Sequence, residues 1–370
     1  MAAYLTKPAK TELEKARAIF RWITQNISYD VEGFFTKSYG DLSPESVLSR
    51  RTSVCEGYAG LFEALARAAG LEVATINGWG KGYGYTVGDP IVGPTNHSWN
   101  AVKIGKGWYL LDCTWGAGYI SEEQQFVRKF EEFYFLTPPE QFIYDHLPED
   151  TEWQLLEKPI SKDKFVQLPY VEPEFFTYGL KFGNYKQSVI RADQPITVTI
   201  VAPQTVALTA RLIREGKKLP ESFTFVQRNG ELYEIETFFP EAGTYILRIF
   251  AKRKGDPGEY WSLLEYRVDA ARGASKAVGF PETYESFYTH DVYLYEPKAG
   301  QLRAGSAQTF KLRVPGAQDV ALVAGERWYH LQRQGDVFRG RFIVPKGEMV
   351  ICAKFPGRSM YDGLLGYVGF

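Results

Sequence analysis

The stretch Cys55-Glu-Gly-Tyr-Ala-Gly-Leu-Phe-Glu-Ala-Leu-Ala-Arg-Ala-Ala-Gly-Leu-Glu-Val-Ala-Thr-Ile76 changes its hydrophobic period partway along. From Gly57 to Ala69, Leu61, Leu65 and Ala68 fall on one side of a helix, and Gly70 stands where a helix commonly ends on a left-handed glycine. From Leu71 to Ile76 the run is short and strand-forming. Upstream, Leu13, Ala16, Ile19, Phe20 and Ile23 recur at helical spacing. Downstream, His97 to Ile104 and Trp108 to Trp115 read as strands joined by a hairpin at Gly105-Lys106-Gly107. Gly78 to Pro94 reads as a long glycine-rich loop beside them. Helices followed by an antiparallel sheet make residues 1–165 an α+β unit.

Beyond about Tyr170 the helical period disappears. Short alternating runs follow, among them Ile196 to Val201, Val206 to Ile213, Leu232 to Phe238 and Thr244 to Ala251, punctuated by Pro, Gly and Asn. This is the pattern of a β-sandwich. It occurs twice: Gly243-Thr-Tyr-Ile-Leu-Arg-Ile-Phe-Ala-Lys252 leads into Tyr260 to Val268, and Gly347-Glu-Met-Val-Ile-Cys-Ala-Lys354 leads into Tyr361 to Val368. The expected organisation is residues 1–165, then sandwiches over 166–272 and 273–370. His290 and His330 each stand alone in these repeats, which are read as spacer or binding modules.

Composition narrows the function classes. The 370 residues carry a net charge of −1, with basic residues scattered rather than blocked, so no nucleic-acid footprint is present. No run reaches the ~18 apolar residues of a membrane helix. Met1 to Lys15 has no apolar core of a secretory signal, which leaves both cytoplasmic and extracytoplasmic compartments open. Three cysteines cannot all pair, and neither Cys-x-x-Cys nor His-x-x-x-His spacing occurs, so neither a metal nor a cofactor is expected.

The chemistry concentrates in the first unit. Cys55 precedes a helix, where free N–H groups and the positive end of the helix dipole favour a thiolate nucleophile. His97 opens a strand and Asp112 lies near the end of the next, an apolar setting that an imidazolium partner would make tolerable. The pairing makes a geometric demand. If Trp99 opposes Asp112, then His97 lies diagonal to Asp112 on one face, within hydrogen-bond reach. A three-residue loop, Gly105 to Gly107, would instead put Asp112 on the opposite face. Given that register, Cys55 attacks an acyl carbon, His97 moves the proton and Asp112 orients the ring. The oxyanion would be met by the Cys55 N–H and one further donor, with Gln25, Tyr29 and Asn96 as candidates. Trp79, Tyr83, Tyr85, Trp99 and Trp115 are candidates for lining a cleft. Cys113 and Cys352 read as structural.

Arg17-Ala-Ile-Phe-Arg-Trp22 through Tyr29-Asp30, Val54-Cys55-Glu-Gly-Tyr, Asn96-His97-Ser-Trp-Asn-Ala-Val102 and Trp108-Tyr-Leu-Leu-Asp112-Cys-Thr-Trp115-Gly116 carry a family resemblance. They look like the transglutaminase-like superfamily, and more narrowly like the kyphoscoliosis peptidase group in a bacterial-type form with two C-terminal Ig-like domains. Phe133-Tyr-Phe-Leu-Thr-Pro138 and Val314-Pro-Gly-Ala-Gln-Asp-Val320 extend the likeness past the core. The resemblance implies a papain-like α+β core followed by two all-β immunoglobulin-like sandwiches, and a Cys-His-Asp triad at Cys55, His97 and Asp112. It also implies thiol-dependent proteolysis of peptide or isopeptide amides, with transamidation as the variant chemistry. The acidic sites of calcium-dependent transglutaminases are not seen. The competing reading is a non-catalytic scaffold whose sandwiches bind a protein or cell-wall glycan.

Overall fold

The computed structural model describes residues 1–274 and 279–370. The chain forms two compact units, Met1–Tyr170 and Val171–Phe370.

In the first unit, helix α1 (Glu12–Asn26) opens with a capping box in which Thr11 and Glu14 satisfy each other's backbone N–H. Its inner face buries Ala16, Ile19, Phe20 and Ile23, at about 1.5–3 kcal/mol for each large side chain. Leu13, expected on that stripe, is exposed, because the first turn lies beyond the edge of the core. Helix α2 (Cys55–Ala68) begins two residues earlier than the periodicity indicated, so Cys55 is its first residue. The helix closes as a Schellman turn: Gly70, at φ +80°, donates to Arg67 O and Leu71 to Ala66 O. Leu61 and Leu65 are buried, whereas Ala68, near the fraying end, is exposed.

Five antiparallel strands follow: β1 (Val73–Gly80), β2 (His97–Ile104), β3 (Gly107–Leu111), β4 (Phe135–Thr137) and β5 (His146–Pro148), in the order β4-β3-β2-β1-β5. Pairing of Ile104 with Gly107 leaves a two-residue turn, Gly105-Lys106. Asn100 then faces Leu111, and continuing this register sets Trp99 against Asp112. The even loop, rather than the three-residue one, is the observed one. The strand breaks at Leu111, and Asp112 follows it immediately, before the 3₁₀ turn Trp115–Ala117.

Gly78 and Gly80 are not loop residues, as the glycine density had suggested, but the end of β1. Gly78 faces His97 on β2 and Pro148 on β5, and Gly80 faces His146. Alternate residues of a strand share a face. This face therefore carries no side chain along its last turn, and its neighbours occupy the space. A Cβ on Gly78 would run into the Trp99 ring and Leu147 O, while one on Gly80 would come within 3.1 Å of Trp115 and 3.2 Å of the His97 Cβ.

The second unit holds two successive sandwiches with the same strand order. In the first, Val189–Ala192, Val206–Arg214, Lys217–Lys218, Gly243–Arg253 and Trp261–Ala270 build one sheet, and Lys181–Phe182, Ile196–Val201, Thr224–Asn229 and Leu232–Thr237 the other. In the second, Glu282–Thr283, Gln301–Leu302, Asp319–Ala324, Arg327–His330, Gly347–Lys354 and Asp362–Gly369 form one sheet, and Tyr293–Glu296, Ala307–Arg313, Gln332–Gln334 and Val337–Ile343 the other. The final hairpin is bulged at corresponding places, Ile249/Phe250 and Ile351/Cys352, which bears out the repeat. Buried Gln227 accepts from Leu294 N at 3.0 Å and Tyr293 donates to Glu234 at 2.8 Å, tying one sandwich to the next. His330 is not isolated: it pairs with Asp319 at 2.6 Å, and His290 stacks on Phe355. Among the described residues no helix is long and apolar enough to cross a membrane.

Candidate active site

Two tethers fix α2 against its surroundings. Tyr58, wholly buried, donates to Ile27 O at 2.7 Å, and Asn100 of β2 donates to Ala59 O at 3.1 Å. The second bond ties the helix that begins at Cys55 to the strand that begins at His97. Val54 supplies no side-chain cap, and in the first turn of α2 Gly57 N–H folds back onto Val54 O at 3.1 Å, ahead of which stand the N–H groups of Cys55 and Glu56. Short parallel pairing of Ser28-Tyr29 with Thr52-Ser53 sets Tyr29 against Ser53, just ahead of Cys55 in the chain.

His97 Nε2 meets Asp112 Oδ2 at 2.7 Å, and Cys55 lies near enough to the same ring to act on its protonation, with Nδ1 as the nitrogen that Asp112 leaves free. The ring is 8% exposed, Asp112 is 1% exposed, and Cys55 is partly open. Burial disfavours charge on His97, but Asp112, through charge and hydrogen bond, and Cys55 after it outweigh this and push the imidazole up to about 10. Burial likewise opposes ionisation of Asp112, and the charge of His97 with hydrogen bonds from His146 and His97 holds it well below the usual carboxylate range. Asp112 Oδ1 accepts the backbone N–H groups of Thr114 (2.6 Å) and Trp115 (3.2 Å). Cys113 points the other way, into the core, as read from the strand.

The remaining sequence candidates divide. Gln25 is exposed on the last turn of α1, and among the described residues no hydrogen bond ties it to the site. The Asn96 amide accepts from Gly80 N (2.7 Å) and donates to Gly80 O (3.2 Å), which makes it a staple across the base of the 81–96 loop. For Tyr29, burial and then the charge of Cys55 push the phenol far up, so it keeps its proton. Trp99, expected in a cleft, is 1% exposed and packs beneath His97 and His146. Trp115 is half-buried and stacks on His97 at 4.9 Å. Trp79 belongs to a small cluster with Ile143, Leu147 and Phe165, Tyr85 stacks on Tyr170, and Tyr83 is exposed against Phe35.

His146 is the site residue that sequence reasoning missed. It is 0% exposed, lies on β5 opposite Gly80, and places Nε2 3.1 Å from Asp112 Oδ2. The only signal was an aspartate-histidine pair, Asp145-His146, in an apolar run. His97, Asp112 and His146 bring ligand-type atoms within 4.8 Å of one another and are the group among the described residues that could hold a cation; here those atoms are hydrogen-bonded to each other.

Lys81 is 1% exposed, donates to Leu168 O at 2.9 Å and lies over the Phe165 ring. Burial pushes it down to about 7, against the pull of Asp145. The folded value is below the unfolded one, so this lysine costs stability below pH 7 and the cost fades as pH rises toward 10.5. Lys81→Met should therefore raise stability by about 2 kcal/mol at pH 6.5, with the gain shrinking by pH 10. Urea midpoints of parent and variant at the two pH values check this.

Comparison with known proteins agrees with the architecture. Residues 1–113 match the transglutaminase-like superfamily, and residues 162–281 match the KY-like, immunoglobulin-like domain. The chain thus joins a transglutaminase-like superfamily region to a KY-like, immunoglobulin-like domain, and is similar to the kyphoscoliosis peptidase group. It is 37% identical to the kyphoscoliosis peptidase of Mus musculus and, equally, to that of Homo sapiens, over 71% of this chain and 39% of each relative. It is 29% identical to hillarin of Drosophila melanogaster over 70% of this chain and 36% of that protein. The chain thus spans about two fifths of the length of these relatives.

Proposed function

We propose that residues 1–165 carry a cysteine-nucleophile acyl-transfer site acting on peptide or isopeptide amides, with residues 166–272 and 273–370 as sandwiches that bind a protein partner. The single observation that supports this most is the line of contacts from the Cys55 thiol through His97 to Asp112.

In this reading the Cys55 sulfur forms a bond to the acyl carbon as His97 holds the thiol proton. The tetrahedral oxyanion meets the Cys55 N–H at the start of α2 and the Tyr29 phenol, the sequence candidate that both feels the charge of Cys55 and keeps a proton to donate. The C–N bond then breaks, and His97 gives its proton to the leaving amine. Water attacks the thioester and releases the acid; a primary amine in its place yields a new amide. Hydrolysis is the favoured outcome, in keeping with the peptidase names of the relatives at 37% identity. Trp115, half-buried over the imidazole, shields one side of it from water.

The test is a mass-spectrometric screen of a peptide library incubated with the chain, with and without a primary amine. Cleavage that disappears in Cys55→Ala supports proteolysis, and amine incorporation that disappears likewise supports transamidation. Cys55-independent turnover, or none, overturns the reading.

A further inference from the structure

The triad does not end at Asp112. Its Oδ2 is shared: His97 Nε2 lies at 2.7 Å and His146 Nε2 at 3.1 Å. The other nitrogen of His146, Nδ1, lies 2.7 Å from Asp145 Oδ1, and Asp145 Oδ2 accepts the Tyr134 hydroxyl at 2.9 Å. Asp112 N donates back to Tyr134 O at 2.9 Å, which closes a ring of bonds. The His146 ring stacks on Phe142 at 4.0 Å and leans on Trp115 at 4.3 Å, with no solvent contact.

We propose that His146, held by Asp145 and Tyr134, is a positioning residue that fixes Asp112 Oδ2 on His97 and divides the charge that His97 feels. The inference rests on the Cys55–His97 reading above. The argument is one of donors. A carboxylate only accepts, and a neutral imidazole donates from one nitrogen. His146 faces a carboxylate oxygen from both nitrogens, so its ring is held in one layer between Asp112 and Asp145. It lies 5.2 Å, ring to ring, from His97 and competes with it for one oxygen. The groups facing this layer are Cys55 and Tyr29, Cys113 beside Asp112, Tyr134, and Lys81, whose backbone N–H donates to Asp145 O at 2.9 Å.

Removing the competing donor leaves Asp112 Oδ2 to His97 alone. In the full chain labelled with ¹⁵N-histidine, His146→Gln and His146→Phe should each move the His97 titration to higher pH, by about 0.5–1 unit. His146→Phe keeps a ring against Phe142, so it reports the effect if His146→Gln does not fold. A merely structural role would lower stability and leave the titration of the folded protein in place. An unchanged or lowered His97 titration in the folded variants overturns the inference. Iodoacetamide labelling of Cys55 in His97→Ala separates the two claims. If that substitution leaves the labelling rate unaltered, the Cys55–His97 reading is at fault. If it alters the rate while His97 titrates as in the parent in both layer variants, only the role of His146 is lost.

Discussion

Cys55→Ala should lower amide turnover about 10⁶-fold, His97→Ala by nearly as much, and the double variant no further. The two side chains act as one device, because a thiol without its base and a base without its thiol leave the same incomplete step. The expectation follows from the proposed Cys55–His97–Asp112 line. Folding should survive the Cys55 change, since the thiol is partly open and lies outside the buried core. Steady-state rates on a peptide drawn from the library screen, for the two single variants and the double one, check the effect. Additive losses would show that the residues do not share a step.

The second large effect is Asp112→Asn, which should cost about 10³–10⁴-fold in rate with smaller change in substrate binding. Asp112 accepts on both oxygens: Thr114 and Trp115 N–H on Oδ1, His97 and His146 on Oδ2. An amide must turn its NH₂ toward one of these donor sets. Turned toward His97, it forces Nε2 to accept and leaves the ring proton on Nδ1, facing the sulfur, where it cannot take up another. The same change alters stability with pH. His97 is raised in the folded state, so its contribution is full below about pH 6.5 and is lost as pH rises toward 10. Asp112 is depressed, so its contribution is present above its ordinary value of 3.8 and is lost only as pH falls through the lowered one. They titrate as a pair, and a single acid-to-alkaline stability curve for the variant, flatter than that of the parent on both sides, is the expected signature.

Much of this was legible in the residues. The period change across Gly70 gave helix and then strand, whereas the residues allowed two loops at Gly105, and it is the observed two-residue turn that sets His97 and Asp112 on one face. The repeated Gly243 and Gly347 hairpins marked two sandwiches, and the same bulge in each confirms that they are copies. What could not be read was set by distant strands. His146 comes to Asp112 only because β5 pairs with β1, a contact more than 60 residues apart in sequence that no local pattern announces. Gly78 and Gly80 signal a loop by composition, yet they are strand residues whose missing side chains admit Trp99, Trp115 and the His97 imidazole. Asn96, read as a possible donor to the reaction, is consumed by Gly80, because the chain needs a closure there before it returns as β2. Trp99 carried a surface-cleft reading on aromatic density alone, and its burial follows from that same bare face of β1.

The most direct measurement is an acid-quenched single turnover on an activated peptide ester, followed by intact-mass analysis and peptide mapping. The account predicts one acyl group per chain, bound as a thioester on Cys55, absent in Cys55→Ala and slow to form in His97→Ala. An adduct on Cys113 or Cys352, or turnover with no acylated intermediate at Cys55 under conditions that trap thioesters, would contradict it.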